Sequence, residues 1–371
     1  MTRAFSDPSA RILALRFRLL GDIILTTPAL RLLRDRFPNA TIDYVAEPEF
    51  DEVLRGLPSI DEVVRYDRAR IKNSVMGAAG IAFARSLRGR SYDVAIDLHG
   101  GPRSALQTLA SGAPLRIGYS GPHGVFCYNS RIPRRPPGGR IHSVLQQLRL
   151  LAPLGIHPGQ RIPCVEMAEP GGEAHERAER LVARARESGC EGIAAIHVPS
   201  ANPFRNWGVE RIAGVARGVA ALGLRPVFVG GADGESVYRQ MVSRIGVQAV
   251  SLLAQTTPLE LRAVVARSRV FIGVDSGPMH VAATTPTPIV AVFGPNVPET
   301  SGPWTDRATI VQEAVDCRPC DQSRCVYGDY RCFGRLDSDR IVGAVERWVK
   351  ADLSPRPRDL PASLYGNAVS G

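Results

Sequence analysis

The stretch Val270-Phe271-Ile272-Gly273-Val274-Asp275-Ser276-Gly277-Pro278-Met279-His280 decides how the remainder of the chain is read. Five apolar residues in a row, bounded by turn residues, fit a strand buried on both faces. Asp275-Ser276-Gly277 breaks the run. Pro278 then suits the first turn of a helix, where its missing N–H costs nothing. A strand passing through a tight polar turn into a helix is the building unit of a doubly wound α/β sheet. In such sheets ligands bind at the carboxyl ends of the strands.

The same alternation extends outward in both directions. Residues 192–197, 225–229, 249–252 and 289–293 read as further strands, and 173–187, 209–221, 258–268 and 338–350 as helices. In the front half, residues 12–16, 41–46, 63–66 and 94–98 read as strands, with helices expected over 21–37, 76–87, 104–109 and 143–151. Residues 120–140, dense in Gly, Pro and Arg, read as an exposed loop, and 159–172 as a Pro/Gly-containing linker. The expected organisation is therefore two Rossmann-like α/β domains, 1–165 and 166–350, facing across a cleft. The last helix could pack back on the first domain, and 351–371 is read as a disordered tail.

Composition narrows the function classes. The 371 residues, 44% apolar and 22% charged, are ordinary for a globular protein. No apolar run reaches the roughly 18 residues of a membrane span. Met1 to Ala10 lacks the cationic and apolar segments of a secretion signal, so a cytoplasmic location is expected. The net charge of +10 is carried by arginine, lysine occurring only at Lys72 and Lys350. Arginine forks suit phosphates and carboxylates, so a nucleotide diphosphate, an anionic lipid-linked acceptor or the inner membrane face are fitting partners. A GC-rich genome writes the same arginines. No basic stripe interleaved with aromatics is present, so nucleic acid is not expected. The sequence carries no signal for an oligomeric state.

Three turns carry residues with chemistry. In the first, Gly277 allows close backbone approach and Ser276 offers a hydroxyl, with His280 one helical turn on, so a diphosphate fits there. Asp275 would repel phosphate and suits a sugar hydroxyl. An ordinary helix cap uses the same residue types. In the second, Gly21-Asp22 follows the first strand. Asp22 there either takes a proton from an attacking hydroxyl or caps the next helix. In the third, Ser200 to Trp207 presents Arg205, which either neutralises a phosphate or lies on the surface beside Trp207.

Taken in order, these segments resemble glycosyltransferase family 9, the bacterial lipopolysaccharide heptosyltransferases. The resemblance runs through Leu15-Arg16, Gly21-Asp22, Thr27-Pro28-Ala29-Leu30, Asp97-Leu98-His99-Gly100, Arg103-Ser104 and Arg116-Ile117-Gly118. It continues through Arg205-Asn206-Trp207 and Gly230-Gly231 to Val274–Ala283 and Phe293-Gly294-Pro295, covering residues 11 to 350. It implies the GT-B fold and an inverting transfer, metal-independent, from a nucleotide-sugar donor, ADP-heptose, to a lipopolysaccharide-core acceptor. The family's base falls on Asp22 and its sugar contact on Asp275. Its diphosphate contacts fall on Ser276, Gly277 and His280, one of its two upstream hydroxyl donor contacts on Ser200, with Ala201 in place of the other, and Arg205 stands in place of the family's lysine. The ribose-binding acid falls on Asp233 or Glu235 and the adenine edge near Thr256 and Thr257. Arg103 and His142, with the arginines of 130–140, are candidates for an anionic acceptor.

Cys317, Cys320, Cys325 and Cys332 form a compact set, with spacing that could hold structural zinc or an iron–sulfur cluster, or form a redox-labile loop. No cofactor is required for the transfer itself. Two alternatives use the same architecture. One is a nucleotide-sugar epimerase, which would consume donor without an acceptor. The other is a non-catalytic nucleotide-binding module, for which the charge alone would suffice.

Overall fold

The computed structural model describes residues 7–71, 77–122, 126–136, 139–186, 190–199, 202, 204–351, 355–361 and 363. The chain forms two compact units, Met1–Ala168 with Arg358–Gly371, and Glu169–Pro357. Among the described residues, the first unit holds β1 (Arg11–Leu15), β2 (Thr41–Ala46), β3 (Glu62–Arg65), β4 (Val94–Asp97), β5 (Leu115–Tyr119) and β6 (Ser130–Ile132). They form one parallel sheet in the order β3-β2-β1-β4-β5-β6. A short strand β7 (Arg161–Pro163) follows. The second unit holds β8 (Gly192–His197), β9 (Leu224–Val229), β10 (Val250–Ser251), β11 (Val270–Val274), β12 (Ile289–Phe293) and β13 (Ala308–Gln312), parallel in the order β10-β9-β8-β11-β12-β13.

Each sheet is doubly wound, and the order of winding reverses once. The reversal lies between β1 and β4 in the first unit and between β8 and β11 in the second. At such a switch point the connections leave in opposite directions, which opens a crevice beyond the carboxyl ends of the two strands. The central strands are buried end to end, as expected of parallel strands covered on both faces.

Four expectations change. The helix expected over 21–37 is two, Leu20–Ile24 and Thr27–Arg36. The Thr26 and Thr27 hydroxyls donate to the carbonyls of Ile23 and Ile24 at 2.6 and 2.8 Å. Pro28 has no N–H to carry the ladder on, so a new helix starts. The expected loop 120–140 contains β6, an edge strand whose Arg and Pro neighbours hide it from periodicity. The expected linker contains β7, and the expected tail contains β14 (Asp359–Pro361), which pairs antiparallel with it. Among the described residues no helix is long and apolar enough to cross a membrane.

One core of the second unit packs helices Val209–Ala221 and Ser338–Lys350 together over the sheet around the fully buried Trp207. The helices meet at glycine. A Cβ at Gly218 would overlap Val342 Cγ2 and lie 2.9 and 3.2 Å from Cγ1 and Cβ of the same side chain. Gly218→Ala gains at most about 1 kcal/mol in helix propensity. The overlap involves a whole branched side chain and costs about 1–3 kcal/mol. Net destabilisation is therefore expected, read as a lower urea midpoint; an unchanged or raised midpoint would show that the helices can part freely.

Candidate functional site

Both switch points carry linked polar side chains. In the first unit, Arg16 leaves the end of β1 and reaches across to β4. Its guanidinium donates to Leu98 O at 2.9 Å and to Arg18 O at 3.2 Å, and pairs with Asp22 Oδ2 at 2.6 Å. The Leu19 N–H lies 3.5 Å from the same carboxylate oxygen. Asp22 thus sits in the first turn of helix Leu20–Ile24, with its side chain 40% exposed. It is oriented by an arginine that is itself held by two carbonyls.

Asp97, at the end of β4, fastens this turn from inside. It is fully buried, so desolvation raises its pKa. Its Oδ1 accepts the N–H groups of His99 and Gly100, each at 2.8 Å, and its Oδ2 accepts the Tyr128 hydroxyl at 2.5 Å. Gly118 is what lets Tyr128 approach, since a Cβ there would overlap the ring. His99 lies beside Arg16, its ring 5.4 Å from that of Phe17. Burial, reinforced by the Arg16 charge, pushes its pKa down to about 4, so it is neutral at pH 7. Arg134 lies over the Tyr119 ring at 4.5 Å and donates to His99 O at 3.0 Å. Half-buried Arg103 acts electrostatically on Glu47 and Tyr66.

In the second unit, Asp275 and Ser276 follow β11 and His197 ends β8. Ser276 begins helix Gly277–Ala283 without a side-chain cap bond. Its hydroxyl donates to Val274 O at 3.1 Å and lies 3.4 Å from His197 Nδ1. Asp275 Oδ2 accepts from Asn296 Nδ2 at 2.5 Å and Ser301 Oγ at 3.0 Å, and Oδ1 lies 3.8 Å from His280 Nε2. The outcome is a rigid carboxylate, a hydroxyl and two imidazoles at one sheet edge. That set can accept sugar hydroxyls and donate to an anion.

His197 has a consequence for stability. Burial lowers its pKa from the ordinary 6.5 to about 4, so between these values the unfolded chain binds the proton and the folded one does not. Its contribution is complete above pH 6.5 and is lost as pH falls towards 4. The urea midpoint of wild type is expected to fall over that window, and His197→Gln to flatten the fall; an equal slope in both proteins would refute the buried neutral imidazole.

The other expected residues divide. Arg205 is exposed on the turn before Trp207. Asp233 lies on the turn after Gly230-Gly231 and Glu235 opens helix Glu235–Ile245, both exposed. Thr257 caps helix Pro258–Ala266, accepting the Glu260 N–H at 3.3 Å, with Thr256 beside it. Ser200 lies outside the described residues. His142 is fully buried, and its Nδ1 accepts the Val144 N–H at 3.2 Å as a helix cap. The four clustered cysteines are free thiols lining one cavity of about 600 Å³. Among the described residues no group of three or more His, Cys, Asp or Glu side chains could hold a metal ion, so their placement gives the zinc or iron–sulfur expectation no support. Asn296, Ser301 and His197 were not singled out from sequence. Their signal is position: two follow β12, one ends β8, all at the edge already marked by Asp275.

The chain is similar to known proteins over most of its length. The model of glycosyltransferase family 9 (heptosyltransferase) matches residues 81–331. Lipopolysaccharide heptosyltransferase 3 of Escherichia coli is 25% identical over 295 residues, spanning 78% of this chain and 85% of that protein. A glycosyl transferase family 9 structure from Veillonella parvula superposes with a TM-score of 0.82 at 24% identity, covering 94% of this chain and 99% of the other. The ADP-heptose lipopolysaccharide heptosyltransferase II of E. coli gives 0.72 at 20% identity, covering 91% and 98%. The two Rossmann-like units are thus those of the GT-B class. The chain belongs to glycosyltransferase family 9, the heptosyltransferases, and is a glycosyltransferase.

Proposed function

We propose that the protein transfers a heptose from ADP-heptose to a hydroxyl of the lipopolysaccharide core, with inversion at the anomeric carbon. The observation that carries this reading is the linked set Asp275, Ser276, His197 and His280 at the switch point of the second unit, in a chain similar to enzymes named for ADP-heptose. Asp275 accepts hydroxyls of the sugar. Ser276, the Gly277 amide, His280 and Arg205 meet the diphosphate. Asp233 or Glu235 takes the ribose, and the adenine lies near Thr256 and Thr257. As the bond to the anomeric carbon breaks, negative charge collects on the leaving ADP. Fixed donors and an arginine stabilise that charge without a metal ion.

The first unit supplies the base. Asp22 takes the proton of the acceptor hydroxyl as its oxygen attacks the face opposite the departing diphosphate, which inverts the configuration. Arg103 and Arg134 suit the anionic groups of a lipid-linked acceptor, reached from the cytoplasmic face of the inner membrane.

A panel of nucleotide sugars tests the donor. ADP-heptose is expected to raise the melting temperature of the purified protein more than GDP-, UDP- or dTDP-linked sugars do, because binding to the native state alone stabilises it. Equal shifts across the panel, or none, would remove the assignment.

A further inference from the structure

Asp275 is held from an unexpected direction, the loop that carries the four thiols. We propose that Gln322 and Asn296 are positioning residues that set the Asp275 carboxylate for the donor sugar, an inference that rests on the reading of Asp275 as the sugar contact.

The chain of bonds is continuous. Gln322 Nε2 donates to Asn296 Oδ1 at 2.6 Å, and Asn296 Nδ2 donates to Asp275 Oδ2 at 2.5 Å. Ser301 adds a second bond to the same oxygen at 3.0 Å. One carboxylate oxygen is therefore occupied from the protein side, which leaves Oδ1 for a ligand. The polarity matters more than the contact. An amide has a donor end and an acceptor end, and only one way round puts its NH2 on the carboxylate. The acceptor-only Asp275 carboxylate requires that way, and Gln322 holds it by presenting a donor to Asn296 Oδ1.

The loop grips the same turn by its backbone. Arg318 donates to Gly294 O from Nε at 2.8 Å and from a terminal nitrogen at 2.5 Å, and the Cys320 N–H donates to Pro295 O at 3.3 Å. The Phe333 ring covers Gly294 so closely that a Cβ there would overlap it. Gln322 itself has φ +62°, a left-handed conformation that non-glycine residues seldom adopt, and its N–H lies 3.3 Å from Cys320 Sγ. Residues held in such conformations cluster where surrounding structure fixes them for use. Cys320 thus stands directly behind the residue that orients Asn296.

The test is a set of changes at one position. Gln322→Glu is nearly isosteric but offers an acceptor, so Asn296 then lies between two acceptor-only carboxylates and can no longer give its NH2 to Asp275 without setting its oxygen against the introduced carboxylate. Its KM for ADP-heptose is expected to rise about tenfold or more, as for losing a hydrogen bond to a charged group. Gln322→Ala should raise KM about three- to tenfold, and Gln322→Lys, which keeps a donor, should raise it least. In all three kcat should stay within about twofold, since the interaction is shared by ground and transition states. Melting temperatures near wild type exclude a merely structural loss. A second arm needs no donor: the Asn296 side-chain NH2, followed by NMR, should exchange faster with solvent in Gln322→Ala than in wild type. By linkage, ADP-heptose should also slow alkylation of Cys320 by N-ethylmaleimide in wild type. An unchanged KM in Gln322→Glu, or an unchanged Asn296 amide in Gln322→Ala, overturns the positioning role. A wild type that binds no nucleotide diphosphate sugar overturns the reading of Asp275 instead, and the amide arm tells the two failures apart.

Discussion

Asp22→Ala is expected to lower kcat for sugar transfer by roughly 10²–10⁴-fold, the usual contribution of a positioned general base, with donor affinity unchanged. The direction follows from placement. Asp22 stands in the helical turn after β1 with its side chain 40% exposed, so removing it opens no cavity. Arg16 keeps its bonds to Leu98 O and Arg18 O without the carboxylate, so the turn has its own support. The melting temperature should therefore stay close to that of wild type. Asp22→Asn keeps the shape and removes the basic oxygen; it should be impaired to a similar degree. Transfer by either variant at the wild-type rate would show that another group takes the proton. A fall in donor affinity as large as the fall in kcat would give Asp22 a binding role.

The second large effect is expected at Asp275. Asp275→Ala removes a carboxylate that accepts from Asn296 and Ser301 and faces His280. Hydrogen bonds to a charged group are worth about 1.5–3 kcal/mol each, so KM for the donor sugar should rise by roughly 10- to 150-fold. Affinity for free ADP should change much less, because a carboxylate offers nothing attractive to a diphosphate. That split is the distinguishing result. Equal losses for ADP and ADP-heptose would mean that Asp275 supports the whole turn without reading the sugar.

The strands of both centres were legible because parallel strands buried on both faces are uninterrupted apolar runs. β8, β11 and β12 lie where the runs 192–197, 270–274 and 289–293 place them. Edges were not. β6 and β13 are partly exposed, so polar residues interrupt them, and β14 pairs with a partner almost 200 residues away in sequence, which no local pattern announces. At the site, the turns after β1 and β11 stood out because strand, polar turn and helix succeed one another. Their partners did not. Asn296 and Gln322 are ordinary amides on loops, brought to Asp275 by the fold. At His142, a histidine beside a basic stretch, the structure adds what no local pattern announces: its ring is buried and its nitrogen caps a helix.

The central claim is a single displacement requiring an acceptor. The most direct measurement follows ADP release and the anomeric configuration of the sugar by NMR, with purified protein and ADP-heptose, in the presence and absence of a lipopolysaccharide-core acceptor. The account predicts ADP release that depends on acceptor, together with a glycoside of inverted configuration. Donor consumption at the same rate without acceptor, or a product that retains the configuration of the donor, would contradict it.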